Sequence, residues 1–204
     1  MKTPGSKHIG SRQRRQQIVR AALECFVEKG FTQTTMADIR QRANASSGSI
    51  YHHYGSKEQL AAAVLLEGII THQSGIVAEL SHHHVAKEGI YAIVHFHLRW
   101  INEHQNWARF MFQMREADIV ASAEENIREA NRNMFKQLFQ WLEPHIENGA
   151  IKKFPKDMYM PLIMGPCFAY GRLLLSGMST TDISSAGEIL AMSIWQSIRG
   201  ERDG

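Results

Sequence analysis

The sequence predicts an all-α protein of about nine helices, in which a small N-terminal domain of three helices precedes a larger helical domain. Three observations predict this class. Apolar residues recur every three or four positions through most of the 204 residues. Glycines and capping residues interrupt that pattern where helices would end or begin. No segment shows the alternation of apolar and polar residues that is typical of a strand.

The N-terminal domain is expected to span residues 1–60. Residues 1–11 indicate a disordered arm, and the first helix then ends at Gly30. Thr35 and Asp38 have the spacing of a capping box, which predicts the start of a second helix. A turn at Asn44 separates this helix from a short third one, for which Ser46 is a good N-cap. The predicted helices of this domain are residues 12–29, 36–43 and 46–54.

The second domain is expected to span residues 61–204. Its helices are predicted at residues 57–80, 85–104, 107–116, 123–148, 157–177 and 185–199. Gly68 and Gly75 could lower the stiffness of the first of these helices, which joins both domains. Pro166 predicts a kink, because proline lacks the donor that a helix interior requires.

Composition excludes several classes. The chain is 44% hydrophobic and 21% charged, as in ordinary globular proteins. We expect no membrane span, since no apolar run approaches about 18 residues, and no signal peptide, since no apolar stretch follows the basic N-terminus. Cys25 and Cys167 lie in apolar helical surroundings, which indicates buried reduced thiols and a cytoplasmic protein.

Charge is distributed unevenly along the chain. Residues 1–57 contain 10 Lys and Arg against 3 Asp and Glu, whereas residues 58–204 contain 13 against 17. Between Ser46 and Lys57 the chain has hydroxyls, a tyrosine and paired histidines but no acid. This combination indicates that the N-terminal domain is a helix-turn-helix that meets a polyanion, namely DNA.

The segment 30–60 resembles the TetR (tetracycline repressor) family of bacterial transcriptional regulators. The shared features are Gly30-Phe31, Thr34-Thr35, Ile39, Ala43, Ser46 to Tyr54, Ser56-Lys57-Glu58 and Leu60. The resemblance is specific over about residues 12–66 and looser beyond, where the all-helical pattern and a Gly-Pro in the penultimate helix match. It implies a repressor that binds a palindromic double-stranded DNA operator as a homodimer and is released by a small apolar or amphipathic inducer.

Candidate DNA contacts follow from this resemblance and from the chemistry of the residues. The recognition helix of a helix-turn-helix presents its N-terminal residues to the major groove, where hydroxyls can bond to phosphates or bases. Lys57 is unfavourable in the first turn of a helix unless a phosphate binds there, which predicts a phosphate contact. Arg12, Arg14 and Arg15 either reach the adjacent groove or form a mobile basic arm. The predicted contacts are Thr35, Ser47, Gly48, Ser49, Tyr51, His52, His53 and Lys57.

The resemblance also implies a ligand cavity and a dimer interface in the second domain. Trp107, Phe110, Met111, Met114 and Tyr170 are the candidate cavity lining, although such a set is more often plain core. Arg115, Arg172 or His97 could orient a polar end of the ligand. The last two helices resemble the family's dimerisation helices, and the apolar row Leu190, Ile194 and Ile198 fits an interface as well as it fits intramolecular packing.

We assign no catalytic residue, cofactor or metal site. His82, His83 and His84 are consecutive and lack further ligands at zinc-like spacing, so they indicate a polar loop. His95 and His97 are two residues apart and should point to different faces of a helix. The remaining alternatives are a helical module that binds a small molecule and a helical enzyme, neither of which would bind DNA.

Overall fold

The computed structural model describes residues 4–114 and 123–201, and the side chains of residues 4–11 and of Met114 are outside the description. Nine α-helices form within these residues, and a turn of 3-10 helix at Lys156–Met158 precedes the eighth. The helices are α1 (Pro4–Lys29), α2 (Met36–Arg42), α3 (Ser47–His53), α4 (Lys57–Ser81), α5 (Ala86–Glu103), α6 (Gln105–Met114), α7 (Glu124–Glu147), α8 (Tyr159–Leu175) and α9 (Ile183–Ile198). The predicted all-α class is confirmed, and most predicted boundaries agree within two residues.

The N-terminal arm is the exception to this agreement. Helix α1 begins at Pro4, so the prediction of a disordered arm over residues 1–11 is wrong for its described part. Proline is well suited to a first helical turn, where its missing N–H has no partner to lose. Once the packed part of α1 has formed, each added residue gains a hydrogen bond without a new nucleation cost, so the helix extends past Gly5 and Gly10.

Side-chain caps set the boundaries of the short helices. The hydroxyl of Thr35 accepts from the Asp38 amide at 3.2 Å, and the Thr35 amide donates to the Asp38 carboxylate at 2.8 Å, so the predicted capping box is present. Ser46 accepts from the Ser49 amide at 3.2 Å and caps α3. Between α2 and α3 the backbone of Asn44 has a φ of 44°, a left-handed conformation that asparagine tolerates better than most residues.

The described residues up to Ile69 and those between Asn106 and Ile127 form one compact unit. This division differs from the expected boundary at residue 60, because most of α6 packs with the N-terminal helices. Phe110 is fully buried and stacks on Phe26 of α1, with ring centroids 5.5 Å apart. A Cβ at Gly68 would lie 2.8 Å from the Trp107 ring, so this glycine permits the close approach of α4 and α6.

The described residues 70–105 and those from Arg128 onward form the second unit. Helices α5, α8 and α9 contact one another and build its core, together with apolar residues of α7 and the end of α4. A short antiparallel bridge between Ile151 and Arg199 ties the end of α9 to the segment after α7. His97 and His145 are buried in this unit among apolar side chains.

Helix α4 is long and apolar enough to cross a membrane by length and composition alone, contrary to the sequence expectation. A core helix of a water-soluble protein passes the same test. Its first half places Leu60 and Leu65 in the core of the first unit, and its second half places Ile76 and Leu80 in the core of the second. Protein packing therefore accounts for the apolar character of α4.

Candidate nucleic-acid interface

Helix α3 has a buried edge and an exposed polar face. Ile50 is fully buried and Tyr54, which follows the helix, is 4% exposed. On the other side Ser47, Gly48 and His52 are exposed, and Tyr51 is 55% exposed. Ser49 and His53 are half-buried at the margins of this face. The residues predicted to contact DNA from α3 therefore lie together on one surface, which we call the α3 polar face (Ser47, Gly48, Ser49, Tyr51, His52 and His53).

The buried edge of α3 packs on a continuous apolar core formed with α1, α2 and α4. Ile39 of α2 and Ile50 of α3 are fully buried in the same cluster as Phe26 of α1 and Leu60 of α4. Arg15 on α1 donates from Nε to the Tyr54 hydroxyl at 3.0 Å. The polar face is thus presented by helices that are fixed against one another.

The histidines of the α3 polar face lie in a positive environment. Burial lowers the pKa of His53, and the neighbouring charges of His52, Arg15 and Arg14 lower it further. Arg14 donates to the carbonyl of Ala43 at 3.3 Å, at the end of α2. Both arginines therefore sit on helix α1 and contact the protein, in place of the mobile basic arm that was one of the predicted alternatives.

Carboxylates near this face are paired with cations. Asp38 forms an ion pair with Lys29 at 2.7 Å, which together with its bonds from Thr35 holds the pKa of that carboxyl well below its usual range. Arg42 pairs with Glu28 and with Glu24 on α1. These pairs reduce the negative potential that an approaching polyanion would meet.

Thr35 caps α2, as its spacing from Asp38 predicts. Its amide and its hydroxyl both donate to the Asp38 carboxylate, at 2.8 Å and 2.7 Å. It has no free donor for a phosphate, and the nearest oxygens are those of a carboxylate. The structure therefore supports the capping role of Thr35, and its additional phosphate contact stays a prediction.

Lys57 is also committed to the protein itself. Its ammonium donates to the carbonyls of Phe31 and Thr34, each at 2.9 Å, and lies 3.4 Å from that of Thr32. The same nitrogen lies 4.4 Å from the centroid of the Phe31 ring. An ammonium has three N–H donors, and these carbonyls accept all of them. Lys57 therefore clamps the α1–α2 loop to the start of α4, and its phosphate contact stays a prediction.

The predicted ligand-lining residues belong to both units. Phe110 and Met111 pack in the core of the first unit, and Trp107 lies beside them against Gly68. Tyr170 belongs to the second unit, where its hydroxyl bonds to the Ser179 hydroxyl at 2.9 Å and the Thr181 carbonyl at 3.1 Å. The side chain of Met114 and all of Arg115 lie outside the described residues.

The predicted dimer row lies on the inner side of α9. Ile194 and Ile198 are 2% and 0% exposed in the core of the second unit, and Leu190 packs against that core. An apolar row with four-residue spacing fits either environment, and here the protein's own helices cover Ile194 and Ile198. The exposed apolar residues of α9 are Ile189 and Met192.

The positions of the histidines in the structure agree with the loop and helix faces predicted from their spacing. His82, His83 and His84 lie in the segment between α4 and α5, and His95 and His97 meet different surroundings. His95 lies 3.2 Å from Glu188, whereas His97 is buried. Among the described residues, no group of three potential ligands is placed to hold a metal ion.

Comparison with known proteins places the helix-turn-helix in a family. Residues 18–64 match the model of "Bacterial regulatory proteins, tetR family". The transcriptional repressor KstR2 of Mycolicibacterium smegmatis is 42% identical over 52 residues, which are 26% of this chain and 25% of that protein. The regulator TtgR of Pseudomonas putida is 41% identical over 51 residues, which are 25% of this chain and 24% of that protein. The chain thus spans about a quarter of the length of these curated relatives.

Solved structures match the whole fold. FadR of Bacillus subtilis, in complex with stearoyl-CoA, has a TM-score of 0.76 at 19% identity, covering 90% of this chain and 99% of that one. The ketosteroid transcriptional regulator KstR2 of Mycobacterium tuberculosis has a TM-score of 0.70 at 22% identity, covering 92% and 96%. At these identities the likeness shows the fold alone.

We predict that Lys57→Met lowers the free energy of unfolding by about 1 kcal/mol, because carbonyls of the α1–α2 loop lose their donor and regain water only partly. Denaturant unfolding measures this change. Lys156→Met is the matched control, since the Lys156 ammonium also donates to an oxygen, that of the Glu143 carboxylate, and lies over a phenylalanine ring, but at an exposed site. Equal stability of the two variants would contradict the clamp.

Proposed function

Because the chain belongs to the TetR family of transcriptional regulators, we propose that it is a ligand-responsive, DNA-binding transcriptional regulator, most simply a repressor. In this proposal a homodimer binds a palindromic operator and leaves it when a small apolar or amphipathic inducer binds. The observation that carries the proposal is the α3 polar face, which is exposed and free of acids on a fixed support.

The chemistry of the α3 polar face suits a DNA groove. Ser47 and Tyr51 are four residues apart and therefore neighbours on the helix, and their hydroxyls can donate to phosphates or base edges. His52 is adjacent and exposed. Short hydroxyl side chains and a long aromatic one together permit both close and distant contacts with a duplex.

Gly48 adds a separate argument. Its φ is not positive, and a Cβ built on it would meet no atom within 4 Å, so the protein's own packing does not require a glycine there. Glycine weakens a helix relative to alanine by up to about 1 kcal/mol. A glycine that the fold does not need, at the centre of the polar face, is consistent with close backbone approach to an external partner.

The core of the first unit suggests how a ligand could act on α3. Phe110 of α6 stacks on Phe26 of α1, and Phe26 lies in the same cluster as Ile39 and Ile50. A shift of α6 would therefore disturb the packing that orients α3. The ligand must bind more tightly to the form that cannot bind DNA, and a coupling of about 1–3 kcal/mol is typical of such systems.

An apolar or amphipathic ligand is in keeping with the relatives. One was solved with stearoyl-CoA, and another is named for ketosteroids. We retain Tyr170 of the second unit as a candidate contact, whereas Trp107, Phe110 and Met111 pack in or against the core of the first unit. A regulator of this kind acts on the chromosome, so we propose a cytoplasmic location.

We further propose that the dimer forms through the outer faces of α8 and α9. Ile189 and Met192 of α9 are 55% and 52% exposed, and Leu173 of α8 is 40% exposed. The exposed side of α8 also contains Pro166 and Ala169, whose small projection would allow a second copy to approach closely. A twofold axis would then present two α3 polar faces to successive major grooves.

The first test concerns DNA binding. We expect Tyr51→Ala and Gly48→Ala each to weaken binding at least about tenfold, because each alters the α3 polar face. Operator sites are first selected from random duplexes with the wild-type protein, and affinities are then measured by fluorescence anisotropy. Gly48→Ala should leave unfolding stability equal or higher, which separates a DNA effect from misfolding.

Gln137→Ala is the control for this test, because Gln137 is exposed on α7 and bonds only along its own helix. It should bind DNA as the wild type does. Unchanged affinity in both α3 variants would count against this surface, and the absence of any selected sequence would count against the function.

The second test concerns pH. The pKa of His53 is lowered in the free protein, and a nearby phosphate would raise it, so binding would take up a proton. DNA affinity should therefore rise as pH falls from about 7.5 to about 5.5, by at most about tenfold per pH unit for each proton taken up. Anisotropy titrations at constant ionic strength measure the slope.

His53→Gln should reduce this slope, whereas His82→Gln, in the segment between α4 and α5, should not. An affinity that falls as pH falls, or a slope that His53→Gln leaves unchanged, would rule out a phosphate beside His53.

The third test concerns assembly. Ile189→Glu should shift the protein from dimer to monomer, since it places a charge in the proposed interface while its side chain is exposed within one subunit. Sedimentation equilibrium measures the shift. Val85→Glu is the control, because Val85 is 47% exposed at the start of α5. Identical assembly of the two variants would refute the α8–α9 interface.

A further inference from the structure

A buried polar cluster lies inside the apolar second unit. His72 of α4 and His97 of α5 bond to each other, with Nε2 of His72 and Nδ1 of His97 2.8 Å apart. Trp100 lies one turn after His97, and its ring centroid is 4.9 Å from that of His72. These three side chains are 6%, 2% and 6% exposed, respectively. Phe168 of α8 stands edge-on to His97 with centroids 5.1 Å apart.

Two nitrogens of this cluster lack a hydrogen bond of good geometry within the described structure, although the Cys167 backbone is close enough to His97 to act on its pKa. They are Nε2 of His97 and Nε1 of Trp100, and both are inaccessible to solvent. Buried polar atoms are almost always paired, so an unpaired one indicates a missing partner. Here two of them lie three residues apart on α5, which places them on the same side of the helix.

The hydrogen-bond pattern defines what the missing partner must offer. An indole nitrogen can only donate. When His72 donates from Nε2 to Nδ1 of His97, the neutral ring of His97 has its proton on Nε2 and donates there as well. The two unpaired atoms are then both donors, and one acceptor oxygen can satisfy both.

The cluster is uncharged at neutral pH. Burial, with the neighbouring His97, lowers the pKa of His72 to about 3, and burial lowers that of His97 to about 4, although hydrogen bonding to the Cys167 backbone opposes the shift of His97. The surroundings of the two rings are the aromatic residues Phe96, Trp100 and Phe168. An anion would lose its hydration here without gaining a cation, whereas a neutral acceptor would lose little.

We propose that His97 and Trp100 form the polar end of a small-molecule site within the second unit, and that its ligand is an uncharged, largely apolar compound bearing a carbonyl oxygen. His72 positions the proton of His97. This inference rests on the proposed ligand-responsive function, for which it names the polar group and the chemical class of the inducer. The carbonyl accepts from both ring nitrogens, and the aromatic side chains around them contact its apolar body.

The test uses three probes with the same chain length: decyl methyl ketone, dodecane and dodecanoate. Binding to the full-length protein without DNA is followed by NMR of the tryptophan indole N–H groups, with the Trp100 signal assigned from its loss in Trp100→Phe. The ketone should move the Trp100 proton downfield, because a new acceptor deshields it, while dodecane should not. Trp141 is an internal control, since its Nε1 already donates to the His83 carbonyl at 2.7 Å.

Trp100→Phe keeps an aromatic ring but removes the donor. Affinities are measured by isothermal titration calorimetry, because this variant has no Trp100 signal. Trp100→Phe should weaken ketone binding by about fivefold to tenfold and leave dodecane binding unchanged, as expected for one lost hydrogen bond. Trp141→Phe should leave the affinity for the ketone unchanged. A Trp100 signal that no probe moves, tighter binding of dodecanoate than of the ketone, or equal weakening by both variants would overturn the proposal.

Operator release is measured separately, so the two proposals can fail independently. If the ketone moves the Trp100 signal but leaves DNA affinity unchanged, the site stands and the ligand-responsive function fails. If compounds release DNA without moving the Trp100 signal, the function stands and this site is refuted.

Discussion

The brevity of α3 is the constraint on which the candidate interface depends. A helix of seven residues is not stable in water by itself, because nucleation costs more than its few hydrogen bonds return. Its position is therefore set by what it buries, namely Ile50, and by Tyr54 behind it. The same burial leaves Ser47, Tyr51 and His52 outside. The apolar core of the first unit thus determines which side chains of α3 are available to a partner.

The α1–α2 loop must be held for that core to persist. Thr34 is 1% exposed, and its hydroxyl donates to the carbonyls of Cys25 and Gly30. The Lys57 ammonium donates to the Thr34 carbonyl of the same loop. A cation in the first turn of a helix opposes the macrodipole by about 0.3–1 kcal/mol. Carbonyl oxygens accept from the Lys57 ammonium and offset this cost, so no phosphate is needed to explain the residue.

Local patterns in the sequence were sufficient for most of the fold. Capping residues such as Thr35, Ser46 and Asp182 lie next to the helices they start, so their effect is readable from spacing.

Partners that are distant in the sequence cannot be identified from spacing. Lys57 meets carbonyls 23 to 26 residues away, and nothing local distinguishes that arrangement from a phosphate contact. The row of Ile194 and Ile198 is ambiguous for the same reason, because periodicity identifies an apolar face without identifying what covers it. His72 was overlooked because a single histidine in a long apolar helix has no local motif.

Gly68 and Gly75 of α4 determine how closely this helix packs against its neighbours. The sequence suggested that Gly68 and Gly75 soften this helix, but in the structure each permits a close contact. A Cβ at Gly75 would lie 2.0 Å from the Phe96 ring in the second unit, and one at Gly68 would lie 2.8 Å from Trp107 in the first. His72 lies between them, one turn from each. The His72–His97 pair thus lies in the closely packed half of α4 that belongs to the second unit. Close packing fixes each half of α4 within its own unit, since densely packed interfaces shift between discrete arrangements and do not bend continuously. A larger residue at position 68 or 75 would therefore alter ligand response by displacing α6 or α5, and not by changing the flexibility of α4.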